Sequence, residues 1–544
     1  MVEVEEIDVV QAFELKIKTR LKPLHEATIR FDSPVQKFYE GATVFLTGGS
    51  GFLGKQLIEK LLRATKVAKI FILLRTKKGK PIDQRLQEML EDPVYDTVKE
   101  SQPDFVSRLV AVPGDVSELR LGMSDKDWNM VAEEADIIYH LAATTRFDDP
   151  LRITTLINVR GAREALVLGK DCKKLKSFVH VSTAYSNACD NLIDNEITED
   201  FYKSPLEPDT LIRLAETVDE DRIKNITPDL IKNWPNTYSF AKAVAEEIVT
   251  KFADDLPICV VRPAIVICSA LEPGPGWIDI SNVFGASAVI VGPGLGLMRV
   301  IYASADAKVG LIPVDYVNNS IITAAWETAK RREAGDLKTK IYNVAPSRNP
   351  PVWGSLRKSF ESLRYKFAPP QSVWYNFGWQ TTNPVLFFIY SWLLHLIPAY
   401  FIDAILYVLG KDRILVKLYK KMYKMSKSLS YFTINNWHFV DRNTEALYNS
   451  LSEIDKVIFD FDVTKIDWYD EFLPIWCMGL RKYVVKDGLK GSRYGAKKQA
   501  VFFVLNIIVS TLYAYGIYKF VLFAFSVVAT LVSLLLYPLM YALN

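Results

Sequence analysis

From residue 42 onward the chain alternates short apolar runs with stretches of helical period. Residues 42–46 form a β-type run, a glycine-rich turn follows, and apolar residues then recur at helical spacing over 55–64. A second apolar run, Lys69–Leu74, completes a βαβ unit. Further strands are predicted over 108–112, 136–141, Ser177–Val181 and 257–261, with helices over 154–170 and 239–252. Apolar strands spaced by helices predict an α/β fold, a doubly wound parallel sheet covered on both faces.

Beyond residue 350 the pattern changes. Residues 351–383 read as a linker, with Pro, aromatic residues and Asn concentrated in 367–383. Residues 384–409 are strongly apolar but interrupted by His395, Pro398 and Asp403, and 412–427 read as a basic helix. Residues 437–487 are a mixed, mostly helical segment rich in aromatic residues. From 500 to 544 the only formally charged side chain is Lys519. The runs on either side of it each approach the ~20 residues that cross a bilayer. Basic residues upstream (Arg481, Lys482, Lys486, Lys490, Lys497 and Lys498 among them) mark the cytosolic flank of such a span. The pattern allows one crossing or a hairpin turning near Lys519. The predicted organisation is therefore an extension (1–40), an α/β domain (41–350), a linker (351–383), a mostly α C-terminal domain (384–490) and a transmembrane segment or hairpin (500–544).

Composition narrows the chemistry. A net charge of +3 over 544 residues is too small to argue for nucleic acid. Five cysteines without regular spacing argue for a reducing compartment, and five scattered histidines give no metal-ligand cluster. Residues 1–8 are acidic, with neither a basic flank nor a long apolar run, so no signal peptide is expected there.

The turn after the first strand reads Thr47-Gly48-Gly49-Ser50-Gly51-Phe52-Leu53-Gly54. Glycines 48, 51 and 54 between a strand and a helix are the dinucleotide fingerprint in its required context. Small residues let the backbone approach a pyrophosphate, and the helix N-terminus stabilises its charge. An NAD site usually carries Asp or Glu at the end of the second strand. Here Arg75 follows Leu74, with Lys77 and Lys78 close behind, so a cation stands where a 2′-phosphate would sit and the expected cofactor is NADPH. Asp115, after the third strand, is placed to accept from an adenine amino group. Ala142 and Ala143 end the fourth strand and leave room beside the backbone, with His140 read as structural.

The strand at 177–181 ends in Ser182 and Thr183, at the edge that faces the ligand crevice. Either hydroxyl can donate to a carbonyl oxygen as charge develops there. Tyr238 and Lys242, four apart, share one helix face. The ammonium is expected to lower the phenol pKa from ~10 and to hold the nicotinamide ribose.

The glycine turn, Ser182, Thr183, Tyr238 and Lys242 together resemble the extended short-chain dehydrogenase/reductases, which implies a Rossmann-type sheet. A closer resemblance covers nearly the whole chain. The segments 47–54, Val181-Ser-Thr-Ala-Tyr-Ser-Asn187, Asn236-Thr-Tyr-Ser-Phe-Ala-Lys242, Val261-Arg-Pro-Ala-Ile-Val266, Pro275-Gly-Trp277 and Ile312-Pro-Val-Asp-Tyr316 are similar to those of fatty acyl-CoA reductases. Pro398-Ala-Tyr-Phe-Ile-Asp403, Trp437-His-Phe439, Phe459-Asp-Phe-Asp462, Ile466-Asp-Trp468 and Gly479-Leu-Arg-Lys-Tyr483 resemble the second domain of its alcohol-forming members. Residues 281–300 read as more apolar and less regular than that family's pattern.

The resemblance implies reduction of a long-chain acyl-CoA to an aldehyde, with release of CoA, and then to a primary alcohol, with NADPH used twice. Tyr238 would protonate the alkoxide, and Tyr238 or Thr183 would stabilise the thioester oxyanion. Asn158 would support Lys242 through water, and Arg262 falls with the cofactor-binding residues. The apolar stretch 374–409 would deliver or cover the acyl chain. Membrane lipid is an expected partner, with the endoplasmic reticulum expected ahead of the peroxisomal membrane or lipid droplet, and a homo-oligomer is left open. Two other readings stand beside this one: a membrane-anchored sterol or nucleotide-sugar reductase, and a non-catalytic NADPH-binding scaffold.

Overall fold

A computed structural model describes the backbone of residues 7–76, 79–280 and 292–542, with side chains up to Leu536. Lys77, Lys78 and the first part of the irregular stretch at 281–300 lie outside the described residues.

Seven parallel strands form the central sheet: β1 (Thr43–Thr47), β2 (Lys69–Leu74), β3 (Leu109–Pro113), β4 (Ile137–His140), β5 (Ser177–Val181), β6 (Ile258–Pro263) and β7 (Lys340–Val344). Their order is β7-β6-β5-β4-β1-β2-β3. Alternate residues of each strand feed opposite cores. Val44, Leu46, Ile72 and Val179 enter one, and Phe45, Phe71, Ile138 and Phe178 the other. The chain reverses direction across the sheet between β1 and β4, where Thr47 lies opposite His140. A crevice at the C-terminal ends of these strands is the ligand position in such sheets. Two helices bring side chains to it, α1 (Phe52–Ala64) and α2 (Thr237–Phe252). Strand β7 was not predicted. Its five residues follow a long charged helix and carry little pattern of their own.

The C-terminal half is interlocked with the sheet. His438–Phe439 pairs in parallel with Glu196–Ile197. Asn343 Nδ2, on β7, donates to the Val440 carbonyl at 2.7 Å, and the Glu199 carboxylate accepts from the backbone N–H groups of Asn343 and Asn443. The stretch read as a linker is built structure. It holds a helix, Trp353–Leu363, and a strand, Trp379–Thr381, which pairs with Val300–Tyr302. The extension is also seated: Asp8 accepts from the Ser492 backbone at 2.8 Å, and Gln36 Nε2 donates to the Ala64 carbonyl at 2.9 Å.

Of the two arrangements that the sequence allows, a continuous segment or a hairpin at Lys519, the structure has the continuous one. Ser492–Ala542 is one helix of 51 residues, about 76 Å at 1.5 Å per residue. No proline interrupts it before Pro538, so nothing forces a turn beside Lys519. Among the described residues, two segments are long and apolar enough to cross a membrane by length and composition, Pro384–Val408 and Ser492–Leu536.

Candidate active site and cofactor crevice

The glycine turn is tight for identifiable reasons. Gly48 has φ +78°, and a Cβ there would stand 2.7 Å from the Ala142 nitrogen. The turn is thus pressed against the end of β4, and the Ala142 N–H donates to Thr47 Oγ1 at 3.2 Å. A Cβ on Gly54 would meet the Gly48 carbonyl oxygen at 2.3 Å, and one on Gly49 would meet Ile72 Cγ2 at 2.6 Å. Gly51 is the N-cap of α1 and brings no side-chain hydrogen bond to it. The first N–H groups of that helix are left to an outside acceptor, which is the arrangement that binds a phosphate anion. Ser50 and Gly51 form the exposed tip, and Phe52 and Leu53 turn inward, Phe52 onto Trp277 with ring centroids 5.2 Å apart.

Arg75 ends β2, and Asp115 follows β3 on the same edge, with Arg75 Nη1 3.9 Å from Asp115 Oδ2. Asp115 is positioned by the Ser117 N–H and hydroxyl, both of which donate to its Oδ1. The Arg75 side chain is 57% exposed and so accessible to a ligand phosphate. These residues fit a nicotinamide dinucleotide: a cradle that a Cβ would fill, an uncapped helix N-terminus, and a cation and carboxylate at the strand ends.

The chemical groups converge at the ends of β5 and α2. Asn236 caps α2 by accepting from the Ser239 N–H at 2.8 Å, which starts the helix so that Tyr238 and Lys242 share a face. The Thr183 hydroxyl lies beside the Tyr238 phenol, held by the Tyr185 N–H, from which it accepts at 3.2 Å. Lys242 is buried, and its Nζ donates to the Val181 carbonyl at 2.8 Å. Burial holds its pKa down to about 8, against the upward pull of the Glu246 carboxylate. Phe147 lies over the Tyr238 ring, with centroids 6.0 Å apart. The expectation of a lowered phenol pKa is corrected. Burial pushes Tyr238 up to about 12 despite the neighbouring Thr183 hydroxyl, so it stands protonated, ready as an acid.

Two further assignments are corrected. Ser182 Oγ donates to Glu246 Oε1 at 2.5 Å, so its proton is committed within the protein. Arg262 is fully buried. Its guanidinium donates to Glu246 and to the carbonyls of Thr198 and Asp200, inside the protein and out of a cofactor's reach. Asn158 sits in a π-helical turn, Thr155–Arg160, and clamps the Thr144 backbone, with Oδ1 accepting at 2.9 Å and Nδ2 donating at 3.1 Å. It thereby shapes the loop that leaves β4 along the crevice. His140 Nδ1 pairs with Thr47 Oγ1, and its ring stacks on His180 at 5.6 Å. Burial, reinforced by the charge of Lys242, keeps both imidazoles neutral.

Sequence reasoning passed over Glu246. It lies one turn beyond Lys242 and accepts from Ser182, Ser186 and Arg262, tying α2 to the ends of β5 and β6. Its signal was present: Tyr238, Lys242 and Glu246 repeat at intervals of four on one helix face.

Comparison with known proteins agrees with this geometry. Residues 46–321 match a protein family described as "Male sterility protein", and residues 394–487 match a second family of the same description. "Fatty acyl-CoA reductase wat" of Drosophila melanogaster is 37% identical, over 84% of this chain and 87% of that protein. "Fatty acyl-CoA reductase 1" of Homo sapiens is 35% identical over the same shares. Among solved structures, the terminal R domain of the myxalamid PKS-NRPS pathway shares the fold, with a TM-score of 0.52 and 19% identity over 81% of this chain and 91% of that one. The reductase (R) domain of a non-ribosomal peptide synthetase from Mycobacterium tuberculosis does so too, with a TM-score of 0.51 and 19% identity over 88% and 99%. By its sequence relatives and its Rossmann-type architecture, this chain belongs to the fatty acyl-CoA reductase family.

Proposed function

We propose that the protein reduces a long-chain fatty acyl-CoA to the primary alcohol through an aldehyde, releasing CoA and consuming two NADPH. The observation that carries this reading is the meeting of Thr183, Tyr238 and Lys242 at the sheet edge beside a dinucleotide cradle. NADPH is favoured over NADH because Arg75, and no carboxylate, ends β2.

The bound dihydronicotinamide supplies hydride to the carbonyl carbon. In the first reduction the Thr183 and Tyr238 hydroxyls donate to the thioester oxygen as it becomes an oxyanion. The C–S bond then breaks, and CoA leaves as a thiolate that takes a proton from solvent. In the second reduction the same two groups hold the aldehyde oxygen, and the Tyr238 phenol transfers its proton to the alkoxide. Lys242, as an ammonium, stabilises the transient phenolate. Phe147, over the Tyr238 ring, keeps water from this step.

The helix Ser492–Ala542 is proposed to anchor the protein, with the folded body on the cytosolic side beside Arg493, Lys497 and Lys498, at the endoplasmic reticulum. Purified protein in detergent is expected to oxidise NADPH with at least one acyl-CoA between medium and very long chain. Consumption with none of them sinks the reading.

A further inference from the structure

The apolar segment Pro384–Val408 is inside out for a water-exposed helix. Its buried residues recur about every four positions: Phe387, Ser391, His395, Ala399 and Asp403. The polar members of this stripe are used within the protein. His395 Nε2 accepts from the Arg299 N–H at 2.9 Å, and the Asp403 carboxylate accepts from the N–H groups of Leu415 and Val416, at the start of helix α3 (Leu415–Ile434). The outward face is apolar instead: Phe401 is 70% exposed, Tyr407 66% and Val408 82%. Its seated side is bonded to the Arg299 backbone and to the start of the basic helix α3, which would have to enter the bilayer with it if it crossed, so it is not a span. An apolar face this continuous is not left to water either.

The geometry says what covers it. A chain of rings joins this helix to the long C-terminal helix α4 (Ser492–Ala542). Tyr390 packs on Trp379 at 5.3 Å, Trp379 on Phe377 at 6.5 Å, Phe377 on Tyr375 at 6.2 Å, and Tyr375 on Phe503 at 5.2 Å. Trp374 donates from Nε1 to Asn506 Oδ1 at 2.9 Å. The bridge meets α4 in the first turns of its uncharged run, where a bilayer interface would lie and where Trp and Tyr concentrate. On the other flank, α3 is basic. No Asp or Glu occurs from Arg413 to Val440, and Lys417, Lys420 and Lys427 are exposed, while Lys424 pairs with Asp148 at 3.2 Å.

We infer that Pro384–Val408 lies in the plane of the membrane, its outer face sunk into the leaflet from which α4 emerges and the lysines of α3 on anionic headgroups. The body is then held flat against the bilayer at two points, a span and an interfacial helix. This rests on the membrane reading of α4 above, and the test separates the two.

Full-length protein carrying Cys172→Ser, the other four cysteines being buried, receives a bimane label at Phe401→Cys, or at Leu512→Cys on α4. Each is reconstituted in phosphatidylcholine–phosphatidylserine vesicles with lipids bearing a doxyl quencher at acyl carbon 5 or 12. The 401 probe is expected to lose on the order of half its fluorescence, more with the shallow quencher than the deep one, as fits a helix sunk ~5–10 Å. Quenching at 512 but not at 401 overturns the in-plane placement and leaves the anchor standing. Quenching at neither site overturns both. Self-quenching of the 401 probe that vanishes on dilution with unlabelled protein assigns the face to a second copy of the chain, and overturns the inference.

Discussion

The Thr183 hydroxyl lies beside the Tyr238 phenol, while the hydroxyl next to it in the chain, that of Ser182, donates to the Glu246 carboxylate. Two adjacent hydroxyls at one strand end thus have separable tasks. Thr183→Val removes a donor aimed at developing negative charge, and turnover is expected to fall roughly 10²–10³-fold. Ser182→Ala removes a buried bond to a carboxylate, so it costs about 1.5–3 kcal/mol of stability and leaves turnover near that of the parent. Denaturant unfolding and steady-state kinetics on the pair check this, and the reverse pattern would exchange the two roles.

Tyr238→Phe keeps the ring against Phe147 but deletes the proton. Turnover is expected to drop about 10²–10⁴-fold, with NADPH affinity, measured by fluorescence titration, unchanged. Retained turnover removes Tyr238 from its role.

Lys242 sets the pH dependence. Burial depresses its pKa to about 8, so the ammonium that stabilises the phenolate is present below that pH and is lost as pH rises through it. Tyr238, raised to about 12, stays protonated throughout. The profile of kcat/KM, which reports free-enzyme groups, is expected to show one alkaline limb near 8. Glu246 favours the charged lysine, so Glu246→Gln should move that limb to lower pH. A limb that moves upward contradicts the assignment.

Arg75→Ala tests the cofactor choice. Loss of a charge-assisted phosphate contact is expected to raise the KM for NADPH about 10–100-fold. The KM for NADH should stay nearly constant, because NADH has no 2′-phosphate to lose. Equal effects on both cofactors would place Arg75 elsewhere.

What the sequence showed, and what it hid, follows from the range of the forces involved. The βαβ start, the glycine turn and the Tyr238–Lys242 pair are local patterns whose period or spacing is the structure. Six of the seven central strands were legible as apolar runs, with ends shifted by a residue or two. The hidden features are non-local. Arg262 reads as a free cation until the fold seals it against Glu246 from another element. Ser182 and Thr183 are equivalent in sequence, and only the fold, by setting Glu246 against the first, separates them. Burial at the sheet edge overrode the expected drop in the Tyr238 pKa. Residues 379–381 acquire strand geometry because Val300–Tyr302 offers an edge, and nothing in their own order announces it. Lys519 leaves a hairpin open in the sequence, and the helix runs on through it and through Gly516 without a break.

The most direct test of the central claim uses NADPH deuterated at both C4 positions, a long-chain acyl-CoA and the purified protein, with products read by mass spectrometry. Two hydride transfers to one carbon predict a free fatty alcohol carrying two deuterium atoms at C1, with free CoA in equal amount. Aldehyde as the end product, alcohol with fewer than two deuterium atoms, or no reduced lipid would contradict the account.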